Sequence, residues 1–242
     1  MLIAVMVTAP GAVLAQAMVE SAGFDVVSIR PNLSGANGSS ISRSGGRITL
    51  ENVSLRECIS FAYGIPTGRD YELSGPGWLE SEKFDIVATF PTETSRDRVR
   101  EMLRKTLGER FGLKTHEENR EIESYALVVA KRGYKLPAVS TASDGAFVWG
   151  EGKLTARAIS MSGLADRLSG SGFKLGRPVV DMTRIKGSYN FVLSWAPDNA
   201  PADGRASLFT ALQEQLGLKL EPRKIMSKIL VVDHAEKAPT EN

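Results

Sequence analysis

Leu103-Arg104-Lys105-Thr106-Leu107-Gly108-Glu109-Arg110-Phe111-Gly112-Leu113-Lys114 and Leu208-Phe209-Thr210-Ala211-Leu212-Gln213-Glu214-Gln215-Leu216-Gly217-Leu218-Lys219 share one order of motifs at a constant offset of 105 residues. Each has apolar residues near i, i+3, i+4 and i+7 spacing, the mark of an amphipathic helix. Val99, Met102, Leu103, Thr106, Leu107 and Phe111 form the apolar face of one; Leu208, Ala211, Leu212, Gln215 and Leu216 form that of the other. Gly112 and Gly217 supply the helix stop.

The match extends upstream. Phe84-Asp85-Ile86-Val87-Ala88-Thr89-Phe90-Pro91 faces Tyr189-Asn190-Phe191-Val192-Leu193-Ser194-Trp195-Ala196-Pro197, again at offset 105. Both alternate with a period of two, which predicts half-buried strands, and both end at a proline, which a ladder cannot continue through. Arg47 to Leu55 faces Lys153 to Met161 at offset 106, a short strand in each case, with Ser54 or Ser160 placed to cap a following helix. Downstream, Tyr125 to Val129 faces Lys228 to Val232 at offset 103. The expectation is an α+β fold of two internally duplicated β-α-β-β-α-β-β units with mainly antiparallel sheets. The units span residues 24–137, with an added N-terminal strand, and 150–236, followed by a tail over 237–242. Two lobes and one continuous core with internal pseudo-symmetry both fit this pattern.

A chain of 242 residues can bury a substantial core. Lys and Arg number 30 against 28 Asp and Glu, a net charge of +2, which argues against a dedicated nucleic-acid binder. Met1 to Ala15 is apolar and free of acidic residues, and Val13-Leu14-Ala15 suits signal-peptidase cleavage; residues 1–15 read as a signal peptide, although no Lys or Arg precedes the apolar run. The expectation is a protein exported to the periplasm or beyond the cell, with no membrane span in the mature chain. Cys58 is the only cysteine, so no intrachain disulfide forms, and its place in an amphipathic segment reads as a buried structural thiol. Ser34 to Gly46, dense in Gly and Ser, reads as a flexible surface connection, and Pro197 to Gly204 as a polar loop.

Several motifs together resemble a family of exported soil-bacterial proteins of unknown function. They are Phe24-Asp25-Val26-Val27-Ser28-Ile29-Arg30-Pro31, Phe61-Ala62-Tyr63-Gly64-Ile65, Gly75-Pro76-Gly77-Trp78-Leu79 with Phe84-Asp85-Ile86, Arg110 to Lys114, Tyr125 to Val129 and Gln213 to Glu221. The resemblance covers nearly the whole mature chain. In some members the domain is attached to a membrane metallopeptidase of the β-lactam-sensor type, which implies an extracytoplasmic sensing or binding role. The family supplies no catalytic residues to carry over. Ile48 to Leu55 is also similar to the start of the small β-α-β interaction modules of secretins and outer-membrane receptors.

No nucleophile elbow, phosphate-binding loop or dinucleotide fingerprint occurs. His116 and His234 are the only histidines, and the offset of 105 takes His116 to Glu221, so they are not equivalent in the repeat. Each is a candidate catalytic base or a plain strand-end residue. Asp181, directly after Val179-Val180, is a candidate general base or metal ligand, or the cap of the next turn. Asp198 and Asp203, with Asn199, offer oxygen ligands to a hard cation such as Ca²⁺, the one cofactor the sequence suggests.

Two functions compete. One is a non-catalytic binding or interaction module, with a small-molecule or protein ligand at the junction of the two units. The other is a small exported hydrolase of esters or lactones, acyl-homoserine lactones among them, in which a carboxylate or histidine, with a divalent cation, activates water. A site is expected where the two units diverge or meet.

Overall fold

Ser54 starts the first helix by a reciprocal arrangement: its hydroxyl accepts the Glu57 N–H, and the Glu57 carboxylate accepts the Ser54 N–H. The computed structural model describes residues 23–139, 145–150, 152–197 and 204–240. Within them the elements run β1 (Val26–Pro31), β2 (Ser40–Ser44), β3 (Arg47–Ser54), α1 (Leu55–Tyr63), β4 (Leu73–Ser74), β5 (Lys83–Thr89), α2 (Arg96–Phe111) and β6 (Lys114–Val129). They continue with β7 (Ala138–Val139), β8 (Ala146–Gly150), β9 (Lys153–Ile159), α3 (Met161–Ser169), β10 (Val179–Asp181), β11 (Ser188–Ser194), α4 (Leu208–Ala211) and β12 (Leu218–His234). A π-helical turn, Leu212–Leu216, prolongs α4. The protein is α+β, and most strand pairs are antiparallel.

Among the described residues the strands form three four-stranded sheets. One peripheral sheet has the order β1-β5-β3-β2, the other β7-β11-β9-β8. An offset of 106 residues takes β2 onto β8 and the start of β3 onto that of β9. Ser160 caps α3 as Ser54 caps α1, and Gly112 and Gly217 close their helices at φ 59° and 69°.

The centre of the molecule is the long antiparallel pair β6–β12, flanked by β10 on β6 and β4 on β12, both parallel. This corrects the expected unit. No closing hairpin ends either half among the described residues; the last strand of the first half pairs with the last strand of the second. The stretch Glu117 to Ser124 looks like a charged turn in isolation. It stays extended because β12 pairs with it residue by residue, and β12 also sets opposite charges beside its glutamates: Lys224 Nζ meets Glu121 Oε1 at 2.8 Å and Lys228 Nζ meets Glu117 Oε2 at 2.6 Å.

Ser34 to Gly46 also differs from expectation, because it contains β2, every residue of which is exposed. Gly45 and Gly46, at φ 53° and 72°, make the two-residue turn that suits strand twist and pairs β2 with β3. Nor is the whole C-terminal stretch a free tail. Glu236 donates its N–H to the Phe111 carbonyl and Thr240 to that of Arg110, at 2.7 Å each, satisfying the end of α2.

Two cores result, each between a peripheral sheet and the central one. The first joins Ile48, Leu50 and Ile86 to Leu55, Leu103 and Phe111 and takes Leu230 and Val232 from β12. The second joins Leu154, Leu164 and Leu193 to Leu212, and takes Leu127 from β6 with Leu218 and Leu220 from β12. β12 therefore lines both cores, its C-terminal part closing the first and its N-terminal part the second. No helix among the described residues is long and apolar enough to cross a membrane.

Candidate functional site

Asp181, at the end of β10, directs Oδ1 onto Thr183: the N–H donates at 2.9 Å and the hydroxyl at 2.7 Å. It is a turn cap. His116 lies exposed on β6, its Nδ1 2.8 Å from Asp233 Oδ1, and the Asp233 carboxylate holds the imidazole pKa above its ordinary value. His234 Nε2 lies 3.0 Å from Glu236 Oε1. Asp181 is opposite Leu127, eleven residues along β6 from His116, which is roughly 36 Å at about 3.3 Å per residue. The two histidines share one end of the β6–β12 pair; Asp181 is not brought to them. Asp198 and Asp203 fall outside the described residues. Among the described residues no group of three or more His, Cys, Asp or Glu gathers as a metal site. Cys58 is fully buried, and burial pushes its thiol pKa far up, as befits a structural residue.

What the fold does assemble lies around the segment that follows α3. The short 3₁₀ turn Ser171–Phe173 brings Phe173 beneath the edge of the β7-β11-β9-β8 sheet. Phe173 stacks on Trp149 of β8, ring centres 5.5 Å apart at 29°, and lies 5.5 Å from Trp195 at the end of β11. Gly172 permits this approach: a Cβ there would stand 2.2 Å from the Trp149 ring. Across the depression, Tyr125 of β6 meets Phe209 of α4 edge to face at 5.5 Å, and the Arg177 guanidinium lies 5.8 Å above Tyr125. These rings enclose a groove of about 360 Å³ with Lys174 and Ser207 on its lining. Trp149 is 47% and Phe209 41% exposed, so the apolar walls face solvent.

The groove continues on both sides of Phe173 into the junction of the halves. A depression of about 170 Å³ shares Trp149 and Phe173 with it and adds Asp70, Asp166 and Arg167; another, of about 420 Å³, shares Lys174 and Leu175 and adds Tyr71. Burial pushes the Tyr71 phenol up to about 12. Arg69 reaches across the junction, its Nε donating to Asp166 Oδ1 at 2.7 Å. The combined surface offers flat apolar walls, cationic rims and a floor to which both halves contribute.

A family model described as "Protein of unknown function (DUF3738)" matches residues 56–235. The chain belongs to that family. No curated protein and no solved structure matches the chain. The family's matched span runs from α1 into the residues after β12, and so contains the groove, the junction and the central sheet.

Sequence reading missed the groove. Trp149, Phe173, Tyr125 and Phe209 come from separate elements, and none carries a chemical signature alone. One signal was available: the repeat offsets place Trp149 on Arg43 and Phe209 on Arg104, an exchange of charge for exposed aromatic surface in one half only.

Proposed function

We propose that this protein is an exported binding module, its two halves derived from a duplicated unit. It takes a ligand with a flat apolar group and a negative charge into the aromatic groove at the meeting of the halves. The observation that carries this reading is the facing pair of ring sets, Trp149–Phe173–Trp195 and Tyr125–Phe209, bordered by Lys174 and Arg177. Exposed rings with few hydrogen-bonding groups between them favour stacking and apolar contact, and the cations favour an anionic substituent. The apolar stretch over 1–15 supports export, and the matching strand order of the peripheral sheets supports duplication.

Hydrolysis of an ester or lactone has less behind it. Asp181 is occupied as a turn cap, and the histidines lie at the far end of the β6–β12 pair from it. A cation held by Asp198 and Asp203 would belong to that reading.

The test is a titration with 2-naphthoate, followed by tryptophan fluorescence, since two of the three tryptophans line the groove. Saturable quenching is expected, weakened about tenfold by Phe209→Ala and by Lys174→Glu. Quenching that does not saturate, or that ignores both substitutions, overturns the groove. Turnover of an ester or lactone panel, with or without Ca²⁺, that a point substitution abolishes would overturn the non-catalytic assignment.

A further inference from the structure

We propose that β8 is a docking edge for an extended acidic peptide of a partner protein, which adds to the sheet as a fifth strand and places an apolar side chain in the aromatic groove. This rests on the groove as a ligand site and specifies the form in which the ligand arrives.

A strand at a sheet edge leaves alternate backbone N–H and C=O groups unpaired, and proteins ordinarily blunt such edges with charge, proline or a bulge. The other peripheral sheet does so. Its edge, β2, reads Ser40-Ile41-Ser42-Arg43-Ser44; Arg43 lies over the Phe90 ring and donates to the Thr94 carbonyl. β8 occupies the same place in its own sheet and reads Ala146-Phe147-Val148-Trp149-Gly150. It has no charge and no proline, and its register with β9 is unbroken. Val148 is 72% exposed. Among the described residues only β9 pairs with it.

The two faces of β8 define what would pair there. Phe147 and Trp149 point to the groove side, where Arg167 covers Phe147 and Phe173 stacks on Trp149. An added strand would continue that face with apolar residues, the nearest falling into the groove Trp149 lines. Ala146, Val148 and Gly150 take the other face, opposite Arg157, Thr155 and Lys153 of β9. Both charges there are exposed and positive. Lys174 and Arg167 add cations on the groove side; of the two acids in the adjoining depression, Asp70 and Asp166, the second is held by Arg69. An acidic peptide meets complementary charge on both faces. A second copy of β8 would bring Lys153 and Arg157 of each chain together.

The experiment uses the full chain and blocked heptapeptides that alternate Glu with apolar residues, with Phe, Trp or Leu at the centre. Amide hydrogen exchange followed by NMR should show protection confined to β8. Two N-methylated forms of each peptide then separate backbone pairing from side-chain docking, because successive N–H groups in a strand point to opposite edges. Methylation of one set should weaken binding about tenfold or more, and methylation of the other should leave it unchanged. Equal affinity of the two methylated forms, or no protection of β8 by any peptide, overturns the proposal. So does a chain that dimerises with β8 already protected, which would make a second copy the occupant. Naphthoate quenching without β8 protection overturns strand addition and leaves the groove standing. Protection of β8 unaffected by Phe209→Ala, with no naphthoate quenching, removes the groove and keeps the strand.

Discussion

Asp85 Oδ1 accepts the backbone N–H of Asn52 at 2.9 Å, at a point where two residues of β3 oppose one of β5. Register passes from Leu50 opposite Ile86 to Val53 opposite Phe84, a bulge, and Asn52 takes the left-handed conformation at φ 51°. The second half holds the same device: Ala158, also at φ 51°, donates its N–H to Asn190 Oδ1 at 2.7 Å. Asp85 also accepts from Asn32 Nδ2 at 2.8 Å, and Asn52 Nδ2 donates to the Ala36 and Gly38 carbonyls, so the bulge anchors the loop before β2.

Asp85→Ala should therefore lower unfolding stability by about 1–3 kcal/mol, leaving the Asn52 N–H without its acceptor. Asp85→Asn, which keeps an oxygen as Asn190 does, should cost less than half of that at neutral pH. The Asn32 amide and the Asn52 N–H hold the Asp85 carboxyl below its ordinary pKa. That stabilisation is present above the ordinary value and is lost as pH falls through the lowered one. Urea unfolding of the two proteins at descending pH should show the Asp85→Asn difference shrinking in acid.

Gly68 sets the closeness of the two halves. It adopts φ +93°, and a Cβ there would stand 1.9 Å from the Asp166 carbonyl oxygen. Gly68→Ala meets both a backbone conformation costly for any side chain and a clash with backbone that cannot rotate away, a loss of roughly 2–4 kcal/mol. Asp166→Ala removes only the partly exposed ion pair to Arg69, about 1 kcal/mol or less. If denaturant midpoints rank the two substitutions the other way, the junction is held by charge rather than by packing.

The fold was legible where period and punctuation agreed. α2 shows its apolar face and its Gly stop within one stretch, and β5 and β11 alternate cleanly. β2 was hidden by its composition, since serine and glycine mask a strand whose only local mark is the Gly45-Gly46 turn. β6 is recognisable in the sequence at Tyr125 to Val129 alone, because the strand that pairs with Glu117 to Ser124 and carries the compensating lysines lies about a hundred residues away. The site was less legible still. Titratable residues such as His116 and Asp181 attract attention in a sequence, yet each is satisfied by a neighbour close in the fold. The groove is a property of surfaces from β6, β8, α4 and the turn after α3, and such surfaces have no linear signature.

The His116–Asp233 pair should be visible in the titration of the ring. Hydrogen bonding to Asp233 favours the imidazolium, so the midpoint followed by NMR should lie above the ordinary histidine value, and Asp233→Asn should return it towards that value. The stabilisation is fully present below the ordinary pKa and fades as pH rises through the raised one. Because the pair is exposed, salt should diminish the shift. An unshifted midpoint at low salt would mean that the two side chains do not stay paired in solution.

Cys58 lies on the buried face of α1 with Leu55, Ile59 and Ala62, within the first core. Burial both excludes reagents and disfavours the thiolate, which is the reactive form. A disulfide reagent such as DTNB should leave the native chain unmodified and react fully once denaturant unfolds it. Reaction in dilute denaturant should then follow the opening of the first core. Cys58→Ser keeps the volume but buries a hydroxyl, and it should cost about 1–3 kcal/mol unless that hydroxyl finds a carbonyl one turn back along α1. Rapid labelling of the native protein would show that α1 separates from β3 and β5 far more readily than its packing implies.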